Sequence, residues 1–368
     1  MRQHWMDNLR WTTVVLVLIY HVFYFYNDKG VLGGIGGFGS SQPQDVLMYV
    51  LYPWFMMLLF LVAGIGSRYY LEKHSLREFI RSRTLKLLVP STIGLFVFQW
   101  ITGYFNTLTA GYVQGISIFA QIPAPARPIV GYLISVLSGT GPLWFIQVLW
   151  LLSLLLALLK KIDPKDKLWQ ATKHTKHWVI LLCGLLVYLG SQTLIKSADA
   201  ASLASIYNGY KPLCYAVPFL LGYYLFSHQE VQEKLLSMTW PLCVAALLSG
   251  IWLVLSTYGQ NFTDPAYLAS PLCNLYAYLM MLALMAIFKK YFNRTNAFAT
   301  YMTKSSFGIY IVHYVIIVAF GYMLKVHTQL PVFAIYLILL AAVLLVSPLL
   351  YEILRRIPIV RWCVFGRK

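Results

Sequence analysis

The chain has 368 residues, of which 59% are hydrophobic, 16% aromatic and only 11% charged. Charged residues make up about a quarter of an average soluble domain, so this composition excludes a soluble protein with a single core. It predicts an integral membrane protein.

Apolar runs of about 17 to 22 residues recur ten times, and this length crosses a hydrocarbon core of roughly 30 Å. We predict an all-α bundle of ten transmembrane helices that forms one domain over residues 1–368, without a soluble domain. The predicted spans are 11–27, 46–67, 87–104, 143–159, 177–195, 212–227, 239–257, 270–288, 306–324 and 331–351. The first run is too long for a signal-peptide core and lacks a small-residue cleavage site, so we expect it to remain as a span.

Basic residues predict the orientation, because cytoplasmic loops of membrane proteins are enriched in Lys and Arg. Ten spans put both termini on one side, and a cytoplasmic N-terminus places 24 of the 29 basic residues in inner segments. We therefore predict that both termini are cytoplasmic. This bias explains the net charge of +17 without a nucleic-acid partner.

The first span, 11–27, contains His21, and Asp7 and Arg10 lie just before it. Arg10 and His21 are eleven residues apart, which places them on one helical face roughly 16 Å from each other. Asp7 precedes Arg10 by three residues, a spacing that favours an ion pair. A histidine inside hydrocarbon is costly and is a functional hypothesis by default. The structural alternative is a histidine that only hydrogen-bonds to a neighbouring helix.

The segment Gly33–Gly39 contains the pattern GxGxxG. It follows a membrane helix, so the strand and helix that would make the pattern a dinucleotide site are missing. We predict a flexible outer loop.

The first inner loop is basic. Arg81, Arg83 and Lys86 precede Pro90 and the third span. Together with Arg10 they can hold phosphates, since guanidinium and ammonium groups bind phosphate well. The alternative is that these charges only set the topology.

A long outer segment, residues 105–142, leads to Trp144 at the outer interface. A long loop of this kind is where an outer substrate would meet the protein, with Trp144 as a candidate contact. The alternative for Trp144 is an interfacial anchor.

The ninth span carries Ser306, Tyr310 and His313 at helical spacing. Only His21 and His313, of the eight histidines, lie well within predicted spans. The two spans run from the same side, so the histidines have similar depths and can meet across the bundle. No carboxylate lies deep in a predicted span, which disfavours a proton-coupled transporter. Two histidines and five cysteines without metal-ligand spacing predict no metal site.

The sequence resembles the acyltransferase 3 family of multi-span membrane acyltransferases along essentially its whole length. The matching pieces are Asp7-x-x-Arg10 followed by His21, the stretch Arg81–Pro90, Leu143-Trp144-Phe145, and Ser306–His313. The nearest branch is the one that modifies periplasmic glucans. Lys86 departs from the family, whose basic pair usually ends in arginine, so one bidentate fork is lost.

The resemblance implies a multi-pass enzyme of the bacterial plasma membrane that modifies the cell envelope. It would move an acyl group, acetyl or succinyl, from cytoplasmic acyl-CoA to a hydroxyl of an extracytoplasmic carbohydrate or lipid-linked acceptor. Arg10, Arg81, Arg83 and Lys86 would bind the coenzyme phosphates, and Asp7 and Trp144 would lie at the substrate.

We expect His21 to be the general base, because imidazole has a pKa near the working pH. Tyr310 and His313 would orient His21 or stabilise the oxyanion. An acyl-histidine intermediate remains open. The alternatives of another class are a carrier or flippase for a glycan or lipid precursor, and a noncatalytic scaffold.

Overall fold

The computed structural model describes residues 3–39, 42–193 and 212–367. All regular secondary structure in these ranges is helical, which confirms the predicted all-α class. The helices are α1 (His4–Phe25), α2 (Val46–Leu51), α3 (Phe55–Leu71), α4 (Leu76–Arg83), α5 (Val89–Gly94), α6 (Trp100–Gln114), α7 (Arg127–Leu137), α8 (Trp144–Ile162), α9 (Lys167–Ala171), α10 (His177–Leu182), α11 (Gly184–Gln192), α12 (Pro212–Tyr224), α13 (Gln229–Ser237), α14 (Thr239–Thr257), α15 (Pro265–Leu268), α16 (Pro271–Tyr291), α17 (Ala297–His327), α18 (Val332–Leu354) and α19 (Pro358–Phe365).

Eight helical segments of the described chain are long and apolar enough to cross a membrane. They are His4–Phe25, Pro43–Leu71, Leu76–Gln114, Gly141–Ile162, Thr239–Thr257, Pro271–Tyr291, Ala297–His327 and Val332–Leu354. Each overlaps one of the predicted spans. The protein is therefore an all-α, multi-pass membrane protein.

The other two predicted spans correspond to shorter helices. The span 177–195 falls on α10 and α11, and the span 212–227 falls on α12. Residues 194–211, which include the end of the former span and the predicted outer lysines Lys196 and Lys211, lie outside the described residues. The count of ten spans and the cytoplasmic side of the termini stay predictions.

The helical segment that contains the third predicted span begins before residue 87, the predicted start of that span. It includes Pro90, which lacks an N–H and whose ring clashes with the carbonyl four residues earlier in a regular helix. The segment begins at Leu76 and continues through Pro90. A π-helical turn, Thr84–Leu88, lies directly before the proline, and the wider turn accommodates the ring. A second π-helical turn, Leu95–Gln99, joins α5 to α6.

The described residues fall into two compact units. The first comprises Met1–Thr13, Tyr49–Ser82 and Val148–Thr303. A close helix crossing holds α3 against α12: a Cβ on Gly64 would collide with the carbonyl of Phe219, and one on Gly222 with that of Leu61. Small residues permit such approach in membranes. Gly66, in the same helix, faces open space instead.

An ion-pair network also stabilises the first unit. Asp166 accepts from Arg68 at 2.8 Å and from Lys160 at 2.5 Å. The Arg68 guanidinium lies 3.8 Å over the Trp169 ring. Partial burial alone would raise the pKa of Asp166, but the hydrogen bonds from Arg68 and Lys160 outweigh it and lower that pKa below its ordinary value.

The second unit comprises Val14–Met48, Arg83–Gln147 and Lys304–Lys368. Helix α17 packs against α1 at Gly321, where a Cβ would lie 2.6 Å from the Phe25 ring, and Tyr26 donates to the Gly321 carbonyl at 2.9 Å. The amide of Gln99 donates to the Ile311 carbonyl at 2.7 Å, which ties α17 to the second π-helical turn. These contacts fix α1 and α17 side by side within this unit.

Candidate active site

The two intramembrane histidines meet in the second unit. His21 on α1 and His313 on α17 have ring centroids 5.1 Å apart, and Nε2 of His313 lies 3.3 Å from Nδ1 of His21. The predicted meeting of these side chains is therefore present in the structure. Each ring is also held by its own helix: Nδ1 of His21 lies 2.8 Å from the Val17 carbonyl, and Nδ1 of His313 contacts the Tyr310 carbonyl.

These contacts assign the tautomers of both neutral rings. A carbonyl oxygen only accepts, so Nδ1 of each ring carries the proton and Nε2 of each is bare. Nε2 of His313 then accepts from Nδ1–H of His21, which it shares with the Val17 carbonyl. His21 is left with an unprotonated Nε2. A neutral imidazole with a free Nε2 lone pair is ready to take a proton.

The two rings differ in accessibility. His313 has no exposed surface, whereas His21 keeps partial exposure. Aromatic rings surround His21: the ring centroids of Tyr20 and Tyr314 lie 5.2 Å and 5.3 Å away, both edge-on. Of the pair, only His21 has accessible surface; His313 lies behind it and contacts its Nδ1.

Tyr310 contacts a turn before α8 in this structure. Its hydroxyl donates to the carbonyl of Pro142, and the edge of the Phe145 ring lies at a centroid distance of 5.8 Å. Pro142 and Phe145, which flank Leu143-Trp144, therefore contact α17. Trp144 itself is half-buried at the first position of α8. Tyr310 reaches His313 through its backbone carbonyl and through its ring, whose centroid lies 5.5 Å from that of the His313 ring.

The glycine-rich segment is a loop, as predicted, and it is tied to α17. The ammonium of Lys325 donates to the carbonyls of Ile35, Gly36 and Gly37. Gly33 has φ +83°, which favours glycine, and a Cβ there would lie 3.6 Å from the Tyr314 hydroxyl. The loop therefore reaches the tyrosine that packs on His21.

Two of the predicted phosphate-binding cations lie in the second unit. Arg83 ends α4, and Lys86 is half-way along the first π-helical turn. Arg83 and Arg367 lie close enough to Lys86 for their charges to act on it. A Cβ on Gly366, which has φ +60°, would lie 2.8 Å from the Cα of Lys86. The C-terminal segment therefore packs directly on this basic turn.

The other predicted cations belong to the first unit. Arg10 is exposed and paired with Asp7 at 3.0 Å, so the expected ion pair is present. Arg81 is exposed. Among the described residues, no group of three or more His, Cys, Asp or Glu side chains is placed to hold a metal ion.

The comparisons with known proteins decide the family. A family model described as an acyltransferase domain, Acyl_transf_3, matches residues 3–352. The chain belongs to the acyltransferase 3 family. No curated protein and no solved structure gave a significant match. This membrane acyltransferase therefore carries its family's domain over nearly its entire length.

The sequence of this acyltransferase did not single out two features of the structure. Tyr314 follows His313 directly, and helical spacing turns it away from the stripe Ser306, Tyr310, His313; only the packing of α1 against α17 brings it to His21. The arginines of the C-terminal segment were counted only as topogenic charge. The signal that was available for a cationic feature there was the number of arginines near the end of the chain.

Proposed function

We propose that this acyltransferase moves an acetyl or succinyl group from acyl-CoA to a hydroxyl of a carbohydrate or lipid-linked acceptor, with His21 as general base. The observation that supports this most is the hydrogen-bond arrangement of the histidine pair. It leaves the bare Nε2 of His21 on the partly accessible ring, within a membrane domain of an acyltransferase family.

The proposed reaction needs one proton acceptor near the thioester. Nε2 of His21 takes the proton from the acceptor hydroxyl as its oxygen forms a bond to the acyl carbon. The C–S bond then breaks, and the imidazolium returns the proton to the leaving thiolate, so that free coenzyme A and an ester are formed. His313 stabilises the imidazolium by accepting the hydrogen bond from Nδ1 of His21.

Cations would bind the phosphates of the donor. Arg83 and Lys86 lie on one basic turn of the second unit, and Arg10 and Arg81 are exposed in the first. Arginine forks bind phosphate oxygens bidentately, whereas Lys86 supplies a point charge. Asp7 would keep Arg10 in place, and Trp144 would contact the acceptor. Tyr310 would either hold the turn at Pro142 in place or donate a hydrogen bond to the oxyanion.

The setting follows from the family resemblance of the sequence. We propose a multi-pass protein of a bacterial plasma membrane that modifies envelope polysaccharide, most closely related to the branch that acts on periplasmic glucans. The donor would bind from the cytoplasm, because the basic turn with Arg83 and Lys86 belongs to the predicted inner face.

Thermal stabilisation of the detergent-purified protein tests the donor without knowledge of the acceptor. Acetyl-CoA, succinyl-CoA and free coenzyme A are compared for wild type and for Arg83→Ala/Lys86→Ala. A ligand that binds only the folded state adds RT ln(1 + [L]/Kd), about 2.7 kcal/mol at a hundredfold excess over Kd. We expect a concentration-dependent rise in melting temperature that the double variant loses.

A matched control is Lys290→Ala/Arg294→Ala, which removes two exposed cations elsewhere in the chain. This variant should keep the full shift. If no acyl-CoA stabilises the folded wild type, acyl-CoA is not the donor, and a carrier or flippase for a glycan or lipid precursor becomes the better proposal.

A further inference from the structure

A second cationic feature lies at the C-terminal end of the second unit. A cavity of about 280 Å³ is lined by Tyr351 and Phe365 and by four arginines: Arg355, Arg356, Arg361 and Arg367. No acidic side chain lines it. Four guanidinium groups around one space repel one another unless an anion enters. The arrangement is therefore typical of an anion-binding site.

The hydrogen bonds of these arginines show which of them have partners within the protein. Arg355 pairs with Glu352 at 2.6 Å and stacks over the Tyr351 ring. Arg367 donates to the Tyr351 hydroxyl and to the Lys304 carbonyl, both at 3.0 Å. These contacts fix the two side chains at the cavity wall and neutralise only one of the four charges.

Arg361 differs from these two. Its Nε is buried and has no hydrogen-bond partner among the described residues. An unsatisfied buried donor on a charged group is costly, because it has lost water without gaining an acceptor. Arg361 also lines the cavity, where a phosphate oxygen would accept hydrogen bonds from its guanidinium group. Arg356 is exposed beside it and adds a second fork for the same group.

The size of the cavity limits the ligand. Pockets for drug-sized molecules are about 300–1,000 Å³, so a space of about 280 Å³ would hold the phosphate end of a ligand whose remainder extends outside it. We propose that this cavity binds a phosphate monoester or diester group. It belongs either to a nucleotide from solution or to the headgroup of an anionic phospholipid.

The position of the cavity gives the site a connection to the basic turn. The same C-terminal segment packs through Gly366 on the backbone of Leu85 and Lys86, and Arg367 acts electrostatically on Lys86. A bound phosphate would screen the repulsion among these cations and hold α19 against the turn. The proposal does not depend on acyl transfer by His21.

The test uses Arg356→Gln/Arg361→Gln with Lys290→Gln/Arg294→Gln as the charge-matched control. In the nucleotide arm, adenosine 3′,5′-bisphosphate is titrated into detergent-purified protein at fixed salt. In the lipid arm, the melting temperature is compared between phosphatidylcholine nanodiscs with and without phosphatidylglycerol. A third variant, Arg361→Lys, keeps the charge and loses the Nε donor and the planar fork.

We expect the cavity variant to differ from wild type and control in one of the two arms. In the nucleotide arm its Kd would rise at least tenfold; in the lipid arm it would lose the whole gain in melting temperature that phosphatidylglycerol gives the other two proteins. Arg361→Lys should fall between them. Folding is checked by the melting temperature in pure phosphatidylcholine. Equal responses of wild type and cavity variant in both arms would overturn the proposal of a phosphate site. The proposed acyl transfer would still stand if the same protein transferred labelled acetyl groups to the envelope fraction.

Discussion

The two histidines are expected to differ in their importance for catalysis. His21 is partly accessible and has a bare Nε2, whereas His313 is fully buried and contributes one hydrogen bond to His21. Replacing His21 with alanine removes the proposed general base, and general-base catalysis is worth about 10²- to 10⁴-fold in rate. Replacing His313 with leucine removes only a positioning contact.

The geometry sets the size of the smaller effect. The contact between the rings is 3.3 Å long, beyond the usual range, and Nδ1 of His21 keeps its 2.8 Å bond to the Val17 carbonyl. A hydrogen bond of this kind contributes about 0.5–1.5 kcal/mol, or roughly 2- to 10-fold in rate. His313→Gln, which can place an acceptor near Nδ1 of His21, should recover part of that loss.

The assay is the incorporation of radiolabelled acetyl groups from acetyl-CoA into the envelope fraction of membranes that contain each variant. Rates are divided by the amount of folded protein, because a leucine at a buried polar position also affects stability. A loss in His313→Leu as complete as in His21→Ala, with the protein folded, would refute the assignment. It would show that His313 takes part in proton transfer itself.

Four further variants test three separate parts of the structure. Gly64→Ala should destabilise the protein by about 1–3 kcal/mol, because the new Cβ meets the backbone of α12. Gly66→Ala, in the same helix with open space around it, should be neutral or stabilising in the same thermal melt. Tyr310→Phe should lower the melting temperature, since it leaves the buried Pro142 carbonyl without its donor. The rate of acyl transfer per folded molecule should fall less than tenfold. A loss of rate as large as that of His21→Ala would instead place the Tyr310 hydroxyl at the oxyanion. Asp166→Asn should lower stability at neutral pH, and the difference from wild type should disappear on acidification, as measured by melting temperature against pH. The lowered pKa of Asp166 stabilises the folded state above the unfolded value of about 3.9, and this stabilisation is lost as the pH falls further through the folded value.

Much of the fold could be predicted because membrane helices leave a strong signal in composition and length. Eight predicted spans coincide with helices, and the depth of His21 and His313 followed from counting residues along them. Their contact needed one more quantity, the rotation of each helix about its axis. Packing sets that rotation through Gly321 against Phe25, and no periodicity in either helix contains it.

Other features depend on local geometry that the sequence pattern does not encode. Pro90 lies inside a helical segment although its missing N–H is usually costly there, and the π-helical turn Thr84–Leu88 that precedes it could not be predicted from the sequence. The sequence near the C-terminus contains the same arginines whether their side chains face water or line one cavity. Their convergence around Arg361 required the turn between α18 and α19.

The two π-helical turns decide where the segment Leu76–Gln114 tolerates the loss of a residue. Each such turn is equivalent to one extra residue in an α-helix, so deleting a residue from Thr84–Leu88 restores regular winding and leaves the helix beyond it facing the same way. Gln99 would then still reach the Ile311 carbonyl. A deletion within the regular helix Trp100–Gln114 instead rotates every residue beyond it by about 100°. We therefore expect single-residue deletions to be tolerated better in the π-helical turns than in α6.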